Sequence, residues 1–116
     1  MGDGVREFKA GIFQGLAHPT RVAIAESLGE GESSAGALLE RLGIEQANLS
    51  QHLSVMRAKA IVTSRKEGNQ VFYSLRDPVL SEVLNIMRQY FLTHLSEISE
   101  LLQTMSTEGS QSNDTQ

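Results

Sequence analysis

Residues 46–75 read QANLSQHLSVMRAKAIVTSRKEGNQVFYSL, and the folding of this stretch decides how the rest of the chain is arranged. At about 100° per residue, positions 46–58 form a helix with Leu49, Leu53 and Met56 on one face, the spacing that anchors a helix to a small core. Ala47, Gln51, Ser54 and Ala58 stand opposite, with Asn48, Ser50 and Arg57 on the flanks. This outer face is polar, small and almost uncharged. A solvated helix face ordinarily mixes Glu with Lys, whereas reading base edges in a DNA major groove needs amides and hydroxyls that both donate and accept.

The runs 62–66 and 70–75 are β-rich and are separated by Glu67, Gly68 and Asn69, which predicts a hairpin with a short glycine-containing turn. Val71, Tyr73 and Leu75 alternate inward in this reading. Arg65 and Lys66 come just before the tip, where a hairpin beside a groove meets phosphates. Between positions 46 and 76 the cations Arg57, Lys59, Arg65, Lys66 and Arg76 face Glu67 alone, a local charge of +4 on a chain whose formal net charge is −4. A positive patch on an acidic protein favours phosphate contact at that surface. A chance cluster on a solvated face would give the same count, so charge supports the reading without carrying it.

The 116 residues are enough for one small core, and a dimer would relieve a chain of this size of any apolar face it cannot cover alone. No apolar run approaches about 18 residues and the first residues carry no apolar signal core, so the expectation is a soluble, cytoplasmic protein. The absence of cysteine excludes disulfides, thiolate metal sites and thiol redox sensing on this chain.

Read in order, residues 1–4 should fray, and residues 5–14 place Val5, Phe8, Ile12 and Phe13 near one face of a short amphipathic helix that Leu16 closes. His18-Pro19-Thr20 starts a second helix that stops at Gly29-Glu30-Gly31. His18 has no second ligand at helical spacing, so a capping or packed histidine is the preferred role. Ser33 and Ser34 can cap a helix over 35–42, and Gly43-Ile44 turns into the groove helix. Two helices joined by so short a turn form a helix-turn-helix. After the hairpin, Asp77-Pro78 caps a long helix running to about Met105. Leu84, Met87, Phe91, His94, Ile98, Leu101 and Met105 recur at alternating spacings of 3 and 4, and Leu80, Tyr90, Leu95 and Leu102 widen the stripe. That is more apolar surface than one protomer covers, which points to a two-fold partner. Residues 106–116 are rich in Ser, Thr, Gln and Gly and are expected to be a disordered tail beyond a 1–105 domain.

The run Leu49-Ser50-Gln51-His52-Leu53, with Val62, Arg65-Lys66-Glu67-Gly68 and Val71-Phe72-Tyr73-Ser74-Leu75, resembles the ArsR family of bacterial winged-helix repressors. Leu16-Ala17-His18-Pro19-Thr20-Arg21 is similar to that family's approach to its second helix. The resemblance covers residues 8–91 and implies dimerisation through the first and last helices. Two positions depart from the pattern: Glu45 stands where the family usually caps the groove helix with Ser or Thr, and Ala60 where Gly usually ends it at positive φ.

The resemblance also names metal sites against which this chain can be tested. The thiolate motif of some relatives falls on Ser34, Ala35, Gly36, Ala37 and Leu38, where no ligand remains. The site bridging the last helices uses two ligand pairs. His94 and Glu97 match the later pair, but Ser81 and Val83 replace the earlier one, and two ligands do not close a tetrahedral site. No metal and no cofactor are therefore expected. Enzymatic motifs are missing as well: there is no glycine-rich phosphate loop, no His-Glu-x-x-His and no thiol nucleophile. Ser50 and His52 point in different directions on a helix and do not pair.

These readings converge on a mainly α fold with a small β-hairpin, a winged helix-turn-helix that is dimeric through its first and last helices. The expected function is sequence-specific binding of double-stranded DNA by a homodimer, most simply a repressor on an inverted repeat. The alternatives are a regulator that occupies DNA constitutively or antagonises another DNA-binding protein and, in another class, a dimerisation partner that no longer binds DNA. Glu45 favours the last and the +4 patch opposes it. The groove-helix candidates are Gln46, Ala47, Asn48, Ser50, Gln51, His52, Ser54 and Arg57; the hairpin adds Arg65, Lys66, Asn69 and Gln70. The dimer candidates are Phe8 and Ile12 with Leu80, Leu84, Met87, Phe91, His94, Ile98 and Leu101. The residues name no effector.

Overall fold

A computed structural model describes the backbone of residues 2–114 and the side chains of residues 2–107. The chain divides into two compact units, residues 1–82 and 83–116. The first contains α1 (Gly2–Leu16), α2 (Pro19–Gly29), β1 (Ser33–Ser34), α3 (Ala35–Leu42), α4 (Gln46–Ala58), β2 (Val62–Glu67), β3 (Gln70–Leu75) and the opening turn of α5 (Val79–Asp114). The rest of α5 is the second unit. No helix among the described residues is long and apolar enough to cross a membrane.

Local chemistry sets the helix boundaries. His18 is extended (φ −160°, ψ 134°) and its Nδ1 accepts the Thr20 N–H at 3.0 Å, while Pro19 fills a first-turn position that needs no N–H. The capping role expected of His18 is the one it takes. Ser34 Oγ accepts the Ala37 N–H at 3.1 Å to open α3, and Gly43, at φ 64°, closes it. An Asp77 carboxylate oxygen accepts the Val79 N–H at 2.9 Å at the head of α5.

Leu49, Leu53 and Met56 of α4 are buried, as their spacing requires, against Leu16, Ile24, Ala25, Leu28, Leu38, Ile61 and Val62. Burying a side chain of this size stabilises by about 1.5–3 kcal/mol, so these few residues hold the unit together. At Gly15 a Cβ would collide with Ile61 Cδ1 and come within 3.1 Å of Lys59 Cβ, so the missing side chain lets α1 approach the segment after α4.

Four expectations need correction. The first helix starts at Gly2 rather than Val5; Asp3 in its first turn suits the positive end of the helix dipole. The hairpin is part of a three-stranded antiparallel sheet of order β1-β3-β2, because Ser33 and Ser34 pair with Tyr73 and Phe72. Its turn is one residue shorter than expected, since Glu67 pairs with Gln70 and leaves Gly68-Asn69 as the loop. Gly68 is at φ 61° and Asn69 is not at positive φ, the pattern of a type II′ turn with glycine first. Residues 71–75 are all half-buried, so the two faces of β3 do not differ in burial class, and Val71, Tyr73 and Leu75 share the face opposite Phe72. β3 is the central strand, and on its outer face the Arg65 guanidinium covers Phe72, 4.6 Å from the ring centroid.

α5 continues to Asp114, past the expected end near Met105, with no proline after Pro78 to stop it. The disordered tail expected over 106–116 falls partly on Thr115, Gln116 and side chains from 108 onward, which lie outside the described residues.

Candidate nucleic-acid interface

Seven of the eight candidates on α4 are exposed: Gln46, Ala47, Asn48, Ser50, Gln51, Ser54 and Arg57. With Leu49, Leu53 and Met56 fully turned inward, this leaves a surface of amides, hydroxyls and methyl groups with a single cation at its C-terminal end. Glu45 occupies the N-cap position with extended backbone (φ −75°, ψ 149°) and makes no side-chain capping bond. The first-turn N–H groups of α4 that a Ser or Thr cap would satisfy are therefore left without that partner.

His52, the eighth candidate, is half-buried and turned away from this surface. Its ring lies 4.4 Å from that of His18, centroid to centroid. Arg21 Nη1 stands 3.2 Å from His52 Nδ1, and the same guanidinium donates from Nε to the Gly15 carbonyl at 2.7 Å and from Nη2 to the Gln14 carbonyl at 3.3 Å. Arg21 thus caps the end of α1 and holds α4 at once. Burial first, then the neighbouring His18 and Arg21, pushes the His52 imidazole below its ordinary value. The helical wheel contained this signal, because His52 lies only about 60° from Leu49 around the axis.

At the wing, Arg65, Lys66, Asn69 and Gln70 are all exposed. Arg65 is nevertheless engaged within the protein, since Glu32 and Glu67 accept from it in two ion pairs. Hydrogen bonds to these two carboxylates, Glu32 first, raise its pKa and hold it charged. Glu32 lies outside residues 46–76 and neutralises Arg65, so the patch is less positive than +4 suggests. Lys66 alternates with Arg65 along β2 and so projects from the opposite face of the strand.

Among the dimer candidates, Phe8 is 60% exposed on α1, where Val5 and Phe13 are also exposed and Ile12 is half-buried. On α5, Leu80, Leu84 and Met87 are half-buried, whereas Phe91, His94, Ile98 and Leu101 are exposed. Val83, Ile86 and Leu92 are exposed apolar residues that the stripe did not include. Tyr90 stacks on His94 at 6.0 Å and 13°. The residues do not fit the metal sites of the resembled family: Ser34 spends its hydroxyl on a helix cap, and Ser81 and Val83 supply no pair for His94 and Glu97.

A family described as a helix-turn-helix domain matches residues 16–65. The chain is 38% identical over 105 residues to Rv0081, an uncharacterized HTH-type transcriptional regulator of Mycobacterium tuberculosis, covering 90% of this chain and 92% of that protein. The crystal structure of Rv0081 superimposes with a TM-score of 0.72, covering 80% of this chain and 94% of that one at 39% identity. The biofilm growth-associated repressor of Xylella fastidiosa is 37% identical over 72% of this chain and 74% of its own length. The crystal structure of the transcriptional repressor BigR from Xylella fastidiosa matches with a TM-score of 0.70 at 34% identity, covering 77% of this chain and 91% of that one.

Proposed function

Because the chain belongs to the ArsR family of winged helix-turn-helix transcriptional regulators, we propose that it acts as a repressor, binding an inverted repeat in double-stranded DNA as a homodimer. The observation that carries this reading is the outer face of α4, where Gln46, Asn48, Ser50, Gln51 and Ser54 are exposed while Leu49, Leu53 and Met56 are buried behind them. Asn and Gln can make two hydrogen bonds to one adenine edge, accepting from its N6–H and donating to its N7, and hydroxyls adapt to either partner. In this reading the amides specify sequence and the cations Arg57 and Lys66 set register on the phosphates.

Dimerisation is supported by the exposed apolar residues of α1 and, separately, of α5 beyond Val83. Each surface finds a two-fold counterpart in a second copy, and paired recognition helices then read half-sites about one helical turn apart. The Xylella fastidiosa relatives are named as repressors, which favours repression. The test is fluorescence anisotropy with duplexes from the DNA flanking the protein's own coding region against a scrambled duplex, with the mass of the complex from light scattering. The expected result is a dimer on the specific site; a dimer that binds neither duplex would instead identify a partner protein that has lost DNA binding.

A further inference from the structure

All three nitrogens of the Arg65 guanidinium have partners. Nε and Nη2 donate to the two carboxylate oxygens of Glu32 at 2.8 and 2.6 Å, and Nη1 donates to Glu67 at 2.6 Å. The guanidinium lies over Phe72, its register partner on β3. Glu32 also accepts from Ser74 Oγ at 3.3 Å. Glu32 immediately precedes β1, Phe72 and Ser74 belong to β3, and Arg65 belongs to β2. In a sheet of order β1-β3-β2, this cluster spans from one edge strand to the other across the central strand. The two-pronged Arg–carboxylate contact fixes direction as well as charge. Lys66 takes part in none of the ion pairs among the described residues.

We propose that Glu32 is a positioning residue for DNA binding: it buckles Arg65 across the sheet, so that Lys66, and not Arg65, makes the wing's phosphate contact. This deepens the DNA-binding reading above and rests on it. The buckle has two consequences. It ties the root of the wing to the segment that enters the helix-turn-helix, and it withholds one cation from the DNA. A hydrogen bond from Arg65 holds the Glu32 carboxyl below the usual range, so Glu32 remains an anion through the physiological range.

The salt dependence of binding to a random duplex counts phosphate contacts, at about 0.9 in the slope of log K against log salt for each one. Lys66→Ala should lower the slope by about that amount and Arg65→Ala should leave it unchanged. Glu32→Gln should raise it by the same step, a gain that disappears in Glu32→Gln with Arg65→Ala. A slope reduced in Arg65→Ala as much as in Lys66→Ala would overturn the proposal. A second readout needs no DNA: the Arg65 Nε–H resonance should exchange slowly in the wild type and be lost to solvent exchange in Glu32→Gln. An unchanged resonance in that variant would refute the buckle. If the wild type binds no DNA, the functional reading fails and the part given to Lys66 fails with it, while the resonance still decides on the buckle.

Discussion

His18 and His52 bring their rings to 4.4 Å, tilted by 45°, although one caps α2 and the other lies on α4. Arg21 closes the group, and because a guanidinium can only donate, His52 Nδ1 must accept and the ring must be the neutral Nε2–H tautomer. A proton on Nδ1 would break this contact and place a cation beside Arg21.

The sign of the resulting pH dependence follows from the lowered His52 pKa. As pH falls, the unfolded chain takes up the proton first, so stability is full above the ordinary histidine value of about 6.5. It declines from there until the pH passes the lowered folded value, and is flat below it. Glu32, also lowered, loses its contribution only as pH falls through its own folded value, below this window. Urea unfolding between pH 8 and 5 should show a decline that is smaller in His52→Gln. Equal declines in the two proteins would remove His52 from the account.

Ala60 ends α4 at φ 61°, the one non-glycine residue at positive φ among the described residues. A left-handed conformation costs an L-residue about 1–2 kcal/mol, and glycine's greater unfolded-state freedom offsets about 0.5–1 kcal/mol of any relief. Ala60→Gly should therefore stabilise the protein by about 0.5–1 kcal/mol, seen as a higher Tm, and Ala60→Val should lower the Tm. A lower Tm in Ala60→Gly would show that the turn bears no strain.

The parts of the fold legible in the sequence are those set by nearby residues. The period of Leu49, Leu53 and Met56, the caps at His18 and Ser34 and the turn at Gly43 each depend on neighbours within one or two helical turns. What escaped depends on pairing across long separations. Ser33 and Ser34 carry no strand pattern of their own and become β1 only because Tyr73 and Phe72 lie beside them. Glu32 finds Arg65 across 33 positions, which no local charge sum detects. His52 differs in kind: its place in the run 46–58 makes it a groove-helix candidate, although its angle of about 60° to Leu49 already points it inward.

Phe91 and its neighbours on α5 test the assembly. Phe91 is 49% exposed in the isolated chain, with Tyr90, Leu95, Leu101 and Leu102 more exposed still. An aromatic ring in a well-packed dimer contact commonly costs about 2 kcal/mol or more on truncation. Phe91→Ala should move the monomer–dimer midpoint in analytical ultracentrifugation to higher concentration by more than tenfold, and DNA affinity should fall with it. A wild type that sediments as a monomer at micromolar concentration would refute the two-fold arrangement.

The central claim is that the exposed amides of α4 read sequence, and Gln51→Ala tests it most directly. Affinities of wild type and variant are measured by anisotropy on the specific duplex and on a scrambled one at the same salt concentration. Loss of one bidentate base contact should cost about 1–3 kcal/mol on the specific duplex, a weakening of roughly five- to two-hundredfold, and leave the scrambled duplex nearly unaffected. Equal weakening on both duplexes, or none on either, would contradict base reading by this face of α4.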